Sequence, residues 1–142
     1  FNMKKGFTLI ELLVVVSIIG LLASIVVVSL GGARRGGRDA KAMAELRQIQ
    51  TALELCYNEA PPGAYPNFAG SDDTWVDIVA GTPITCADQT FMNPVPTTAG
   101  VNPYQWNDYN DPQKYGLRVN LEQSGCFTVT DVGLIETDSI CL

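Results

Sequence analysis

The sequence predicts an α+β chain: a long N-terminal helix, membrane-spanning in its first half and amphipathic in its second, packed on a small antiparallel β-sheet head. Three observations predict it. Residues 7–30 are an apolar run of 24 residues whose one ionisable side chain is Glu11. From Asp39 to Ala60, apolar residues recur at spacings of three and four. Residues 115–122 alternate apolar and polar, then a turn and a second strand-like stretch follow.

Composition narrows the function. A chain of 142 residues has room for one domain of ordinary size. Its net charge of −6 is unevenly placed: from Ile49 to Leu142, Lys114 and Arg118 stand against twelve acids. Such a surface repels phosphates, so no direct nucleic-acid contact is expected of the head. There is no histidine, which removes the commonest general base and the commonest zinc ligand. No enzyme constellation remains, and the neighbouring acids Asp72 and Asp73 read as a helix cap.

The first element begins at Phe7. A helix over residues 7–30 reaches about 36 Å, enough to cross a bilayer core of about 30 Å with some tilt. The run is too long for the core of an ordinary removable signal, and Gly31, Gly32 and Ala33 lead straight into basic residues. A plain anchor explains the length but has no use for Glu11, because a carboxylate inside a membrane costs up to about 3 kcal/mol and needs a partner. Lys5, six residues away, lies off its face. Cutting after Gly6 would give Phe7 a free α-amine four residues before Glu11, one helical turn below it. Between neighbouring helices the same pairing would fix axial stagger. A surface carboxylate capping the helix N-terminus is the plainer reading.

The stretch "KKGFTLIELLVVVSIIGLLASIV" carries a resemblance: a short basic leader, Gly6, then Phe7, Thr8, Leu9, Ile10, Glu11, Leu12, Leu13 and an uninterrupted apolar helix. It resembles the class III signal and N-terminal helix of type IV pilins and type II secretion pseudopilins. The likeness covers residues 3 to about 60 well and the remainder in outline. It implies a pilin-like fold, cleavage between Gly6 and Phe7 by the membrane prepilin peptidase, N-methylation of Phe7 and assembly guided by Glu11. It implies as partners further copies of the chain in a helical homopolymer, the bilayer before assembly, and an inner-membrane assembly platform with its ATPase. The N-terminus would face the cytoplasm of a single-pass inner-membrane protein, and the assembled filament would be extracellular or periplasmic. Residues 1–6 are then a leader, with Phe1 and Asn2 preceding a more plausible start at Met3. Many type IV pilins carry a proline in this helix; here none precedes Pro61, so local unwinding falls to Gly20 or the pairs Gly31-Gly32 and Gly36-Gly37.

Residues 31–60 form the second half of the helix. Arg34, Arg35, Arg38 and Lys41 follow the apolar run, against the positive-inside rule for a cytoplasmic N-terminus, and suit lipid headgroups or acids on neighbouring subunits equally. Met43, Leu46, Ile49, Leu53, Cys56, Tyr57 and Ala60 mark the core face, with Arg47, Thr51, Glu54 and Asn58 opposite and Leu55 a lone exposed leucine. Pro61, Pro62 and Gly63 end the helix. At about 80 Å, a helix from Phe7 to Ala60 exceeds what a small head covers, so lipid or other helices must bury the rest.

Residues 61–142 form the head. Residues 61–114 read mostly as loop, with a short helix in "SDDTWVDIVAG" that places Trp75, Ile78 and Val79 on one side. Next, "KYGLRVNLE" is the best strand, with Tyr115, Leu117, Val119 and Leu121 inward. A turn at Gln123-Ser124-Gly125 leads into "CFTVT", and "PYQWNDY" can add a strand on the other side. The four cysteines admit three pairings. The favoured one joins Cys126 to Cys141, worth roughly 3 kcal/mol, and Cys56 to Cys86, with free thiols as the alternative. No cofactor is expected. Asp108, Asn110 and Asp111, with Asn107, supply oxygen donors of the kind calcium uses, and major pseudopilins bind calcium in a head loop. The same residues are ordinary turn formers, the stronger reading here.

The functional expectation is a structural subunit of a type IV pilus-like filament, with a major type II secretion pseudopilin or a non-polymerising membrane-anchored binding domain as alternatives.

Overall fold

The computed structural model describes residues 6–59, 63–66, 68, 73–97, 102–123, 125–133 and 135–138. Two compact units divide the chain, residues 1–35 and 36–142.

Helix α1, Leu9–Glu59, runs unbroken through Gly20, Gly31-Gly32 and Gly36-Gly37, so none of these glycines unwinds it. In the first unit its apolar side chains are all exposed, from Leu9 to Leu30. Two of the three serines there bond back to the helix: the Ser17 hydroxyl donates to the Leu13 carbonyl (2.8 Å) and that of Ser24 to the Leu21 carbonyl (2.7 Å). Back-bonded hydroxyls leave this stretch compatible with a solvent that offers no hydrogen bonds.

In the second unit, α1 turns Ala42, Leu46, Ile49, Ala52, Leu53 and Cys56 into the core, the three-and-four spacing expected. Met43 and Tyr57 are half-buried and Leu55 is exposed. Ala60, Pro61 and Pro62 lie outside the described residues. Five antiparallel strands form the main sheet in the order β1 (Val76–Asp77), β4 (Gln105–Asn107), β5 (Gly116–Leu121), β6 (Gly125–Thr130) and β7 (Ile135–Asp138). Tyr115, Leu117, Val119 and Leu121 are buried together with Phe127 and Val129 of β6 and Trp106 of β4, in one cluster with the buried residues of α1. Truncating a side chain such as Leu46 there costs about 2–5 kcal/mol.

Two differences from the sequence reading are informative. The expected short helix near Trp75 is instead strand β1: Val76 pairs with Trp106 and Asp77 with Gln105, and the Ile78 N–H continues outward to the Tyr104 carbonyl at 2.7 Å. Asp73, the described member of the expected cap, has φ 59°, a left-handed conformation that does not lead into a helix. Second, the supposed loop contains a hairpin, β2 (Ile84–Cys86) and β3 (Gln89–Met92). Its two-residue turn, Ala87-Asp88, holds φ 47° and 65°, the twist a tight hairpin needs but without the usual glycine.

Arg38 and Lys41 have partners within the chain: Arg38 grips Glu122 of the head, and the Lys41 ammonium lies 3.5 Å from Glu45, one turn along α1. Arg34 and Arg35 make no ion pair among the described residues.

Candidate maturation and assembly site

The residues singled out at the N-terminus converge on the start of α1. Gly6, Phe7 and Thr8 are exposed and not helical. The Gly6-Phe7 peptide therefore lies in accessible chain just ahead of the first helical turn, as a scissile bond must. A side chain at Gly6 would meet nothing within 4 Å, and its φ is one any residue adopts. The fold itself does not demand glycine there.

Thr8 and Glu11 form a reciprocal cap. The Thr8 N–H donates to Glu11 Oε2 (2.9 Å), the Thr8 hydroxyl donates to the same oxygen (2.8 Å), and the Glu11 N–H donates back to Thr8 Oγ1 (3.3 Å). The Leu12 N–H reaches the Thr8 carbonyl at 3.3 Å, closing the first turn. Two donors at a helix start, which have no partner within the helix, are thereby satisfied. This is the plainer of the two expectations for Glu11, a carboxylate capping the helix N-terminus, and it is made with Thr8, to which the sequence analysis assigns no capping role. The signal was present: Thr8-Leu9-Ile10-Glu11 has the spacing of a capping box. One carboxylate oxygen carries both contacts, which leaves Oε1 for a further donor.

In the head, Cys56 and Cys86 form a disulfide with Cα atoms 5.6 Å apart, tying the end of α1 to β2. Cys126 is also disulfide-bonded, while Cys141 lies outside the described residues. The oxygen-rich loop is occupied by turn chemistry. Asp108 Oδ1 accepts the N–H groups of Asn110 (3.0 Å) and Asp73 (3.3 Å), and Asp111 Oδ1 accepts that of Gln113 (2.9 Å). The Lys114 ammonium stands 3.4 Å from the other Asp111 oxygen. The Gln113 N–H, followed by Lys114, holds the Asp111 carboxyl below its usual range. Among the described residues no three acidic, histidine or cysteine side chains are placed to hold a metal ion.

Comparison with known proteins agrees with this arrangement. Residues 1–27 match the family model of the prokaryotic N-terminal methylation motif. Type IV major fimbrial protein FimA of Dichelobacter nodosus is 35% identical over 88 residues, 61% of this chain and 56% of the relative. The chain thus spans little more than half the length of that relative. Type II secretion system core protein G of Aeromonas hydrophila is 31% identical over 104 residues, 72% of this chain and 71% of the relative. The protein of the same name from Escherichia coli (strain K12) is 40% identical over 52 residues, 37% of this chain and 36% of the relative. No solved structure matches the chain significantly. With a methylation motif at its N-terminus and a core protein G relative matched over most of its length, this chain belongs to the type IV pilin and type II secretion pseudopilin family.

Proposed function

We propose that this chain is a structural subunit of a type IV pilus-like filament, not an enzyme. Prepilin peptidase cuts it between Gly6 and Phe7, Phe7 is N-methylated, and the subunit polymerises through α1. The observation that carries the reading is the first half of α1, apolar and exposed along its length with one carboxylate at its start. Such a surface needs lipid before assembly and neighbouring helices after it. Before cleavage Thr8 holds Glu11; afterwards the new amine at Phe7, its own or a neighbour's, competes for the same carboxylate and sets the stagger between subunits. Because the fold does not require glycine at position 6, a demand by the peptidase accounts for it. The N-terminus faces the cytoplasm and the head the opposite side, with the assembly platform and its ATPase as partners. No cofactor is needed.

A second reading, a major pseudopilin of a type II secretion system, is favoured by the longer coverage of the Aeromonas hydrophila relative. Electron microscopy of sheared surface fibres, with mass spectrometry of their N-terminus, tests the proposal. The expected result is fibres of this chain beginning at methylated Phe7, lost in Glu11→Ala while the subunit remains in the membrane. Fibres that persist in Glu11→Ala, or a mature N-terminus other than Phe7, would overturn it. A secretion defect without surface fibres would establish the second reading.

A further inference from the structure

We propose that Arg34 and Arg35 are a docking point for the phosphate of an anionic phospholipid, in the leaflet opposite the N-terminus. The proposal rests on the reading of α1 as membrane-embedded before assembly.

Four basic side chains follow the apolar run, and the structure separates them into two pairs. Arg38 is taken by Glu122 and Lys41 lies against Glu45, both within the chain. Arg34 and Arg35 are exposed and make no ion pair among the described residues. A Cβ at Gly31, one turn before both, would meet nothing within 4 Å, so no side chain or loop crowds the helix on that side.

Position along the helix selects the ligand. Large exposed apolar side chains follow one another from Leu9 to Leu30 and stop before the arginines. Glu11 and Arg34 are 23 positions apart, about 35 Å along a helix. With Glu11 at one edge of a hydrocarbon core of about 30 Å, the arginines stand at the headgroup phosphates of the other. Their stems can lie on apolar surface while the charged ends reach that level. A guanidinium presents a planar fork of N–H donors that matches two phosphate oxygens.

Charge selects the lipid class. A zwitterionic lipid brings its own cation to its phosphate, whereas an anionic one leaves the phosphate to the protein. From Ile49 onward acids far outnumber bases, so the rest of the head repels an anionic surface and the attraction is local to this pair. An acid on a neighbouring chain is the rival partner. Lipid phosphate, however, surrounds an inserted subunit whether or not it has neighbours.

The test places the full chain, one copy per nanodisc, in phosphatidylcholine with a minority of phosphatidylglycerol. Native mass spectrometry then reads which lipid stays bound. Phosphatidylglycerol is expected about fivefold above its share of the bilayer, the weight of one arginine near an anionic surface. Arg34→Gln/Arg35→Gln should lose most of that excess, while Lys41→Gln, which removes a charge already partnered, should keep it. Lys4→Gln/Lys5→Gln measures the share held by the leader at the other leaflet. The proposal is overturned if the excess is absent, if it survives in Arg34→Gln/Arg35→Gln, or if Lys41→Gln loses as much. Absent excess, with crosslinking between copies in pure phosphatidylcholine that Arg34→Gln/Arg35→Gln abolishes, would assign the pair to a neighbour's acid instead. Each of these results leaves the membrane reading standing, whereas a chain that does not insert overturns both.

Discussion

Arg38 and Glu122 meet as a two-pronged pair: Arg38 Nε lies 2.6 Å from Glu122 Oε1 and Nη2 lies 2.8 Å from Oε2. One residue along the helix, buried Asp39 accepts the N–H groups of Glu122 (2.8 Å) and Gln123 (3.0 Å) at the tip of the β5–β6 hairpin. The two neighbours differ in worth. The guanidinium pair is solvent-screened, whereas the carboxylate is almost enclosed and makes two charge-assisted bonds. Asp39→Ala is expected to cost about 2–4 kcal/mol in denaturant unfolding. Arg38→Ala should cost clearly less, and the reverse order would refute this division.

Three phenols titrate late. Burial, then Glu54, raises Tyr65; burial, then the bond to Glu45, raises Tyr104; burial, then the bond to Glu54, raises Tyr115. A phenol whose folded pKa exceeds its unfolded value contributes stability that is whole below the unfolded pKa and is lost as pH rises through the folded one. Stability should therefore be flat to about pH 10 and fall above it. The near-ultraviolet phenolate absorbance of these three should appear only above the ordinary tyrosine range. In Glu54→Ala, Tyr65 and Tyr115 should titrate earlier, and coincident titration in both proteins would contradict the assignment.

Gly116 is covered on the outer face of the sheet. A Cβ there would stand 2.5 Å from the Tyr109 hydroxyl and 2.8 Å from the Trp75 ring, which itself carries the Arg118 guanidinium 4.1 Å from its centroid. Gly116→Ala should displace both rings, cost about 1–3 kcal/mol and red-shift tryptophan emission. Unchanged emission with wild-type stability would show that the rings give way freely.

Reduction of the Cys56–Cys86 bond, across a sequence separation of 30, should lower head stability by about 3–4 kcal/mol. The Cys56→Ala variant should match the loss, plus a packing cost at a fully buried position. Equal melting of oxidised and reduced protein would contradict this.

Long periodic segments were legible in the sequence and short ones were not. The apolar run, the core face of α1 and the β4–β5–β6 meander each repeat a pattern over enough residues to overrule local noise. Strand β1 has two residues, too few for any period, and exists because Trp106 and Gln105 offer it a ladder. The β2–β3 hairpin hid because Ala87-Asp88 adopts a glycine-like turn that composition does not announce. At the N-terminus, Glu11 stood out as an isolated charge, whereas Thr8 is an ordinary polar residue until its spacing to Glu11 is counted. The intrachain partners of Arg38 and Asp39 lie more than 80 positions away, beyond any local reading.

The hairpin β2–β3 shares no backbone ladder with the five-stranded sheet, and a two-stranded ribbon alone is marginal in water. Its attachment to the helix end is covalent. In a polymer under traction, a tug on this hairpin would thus reach α1 through bonded atoms, where hydrophobic contact alone would slip; the ribbon can bend or peel, but it cannot leave.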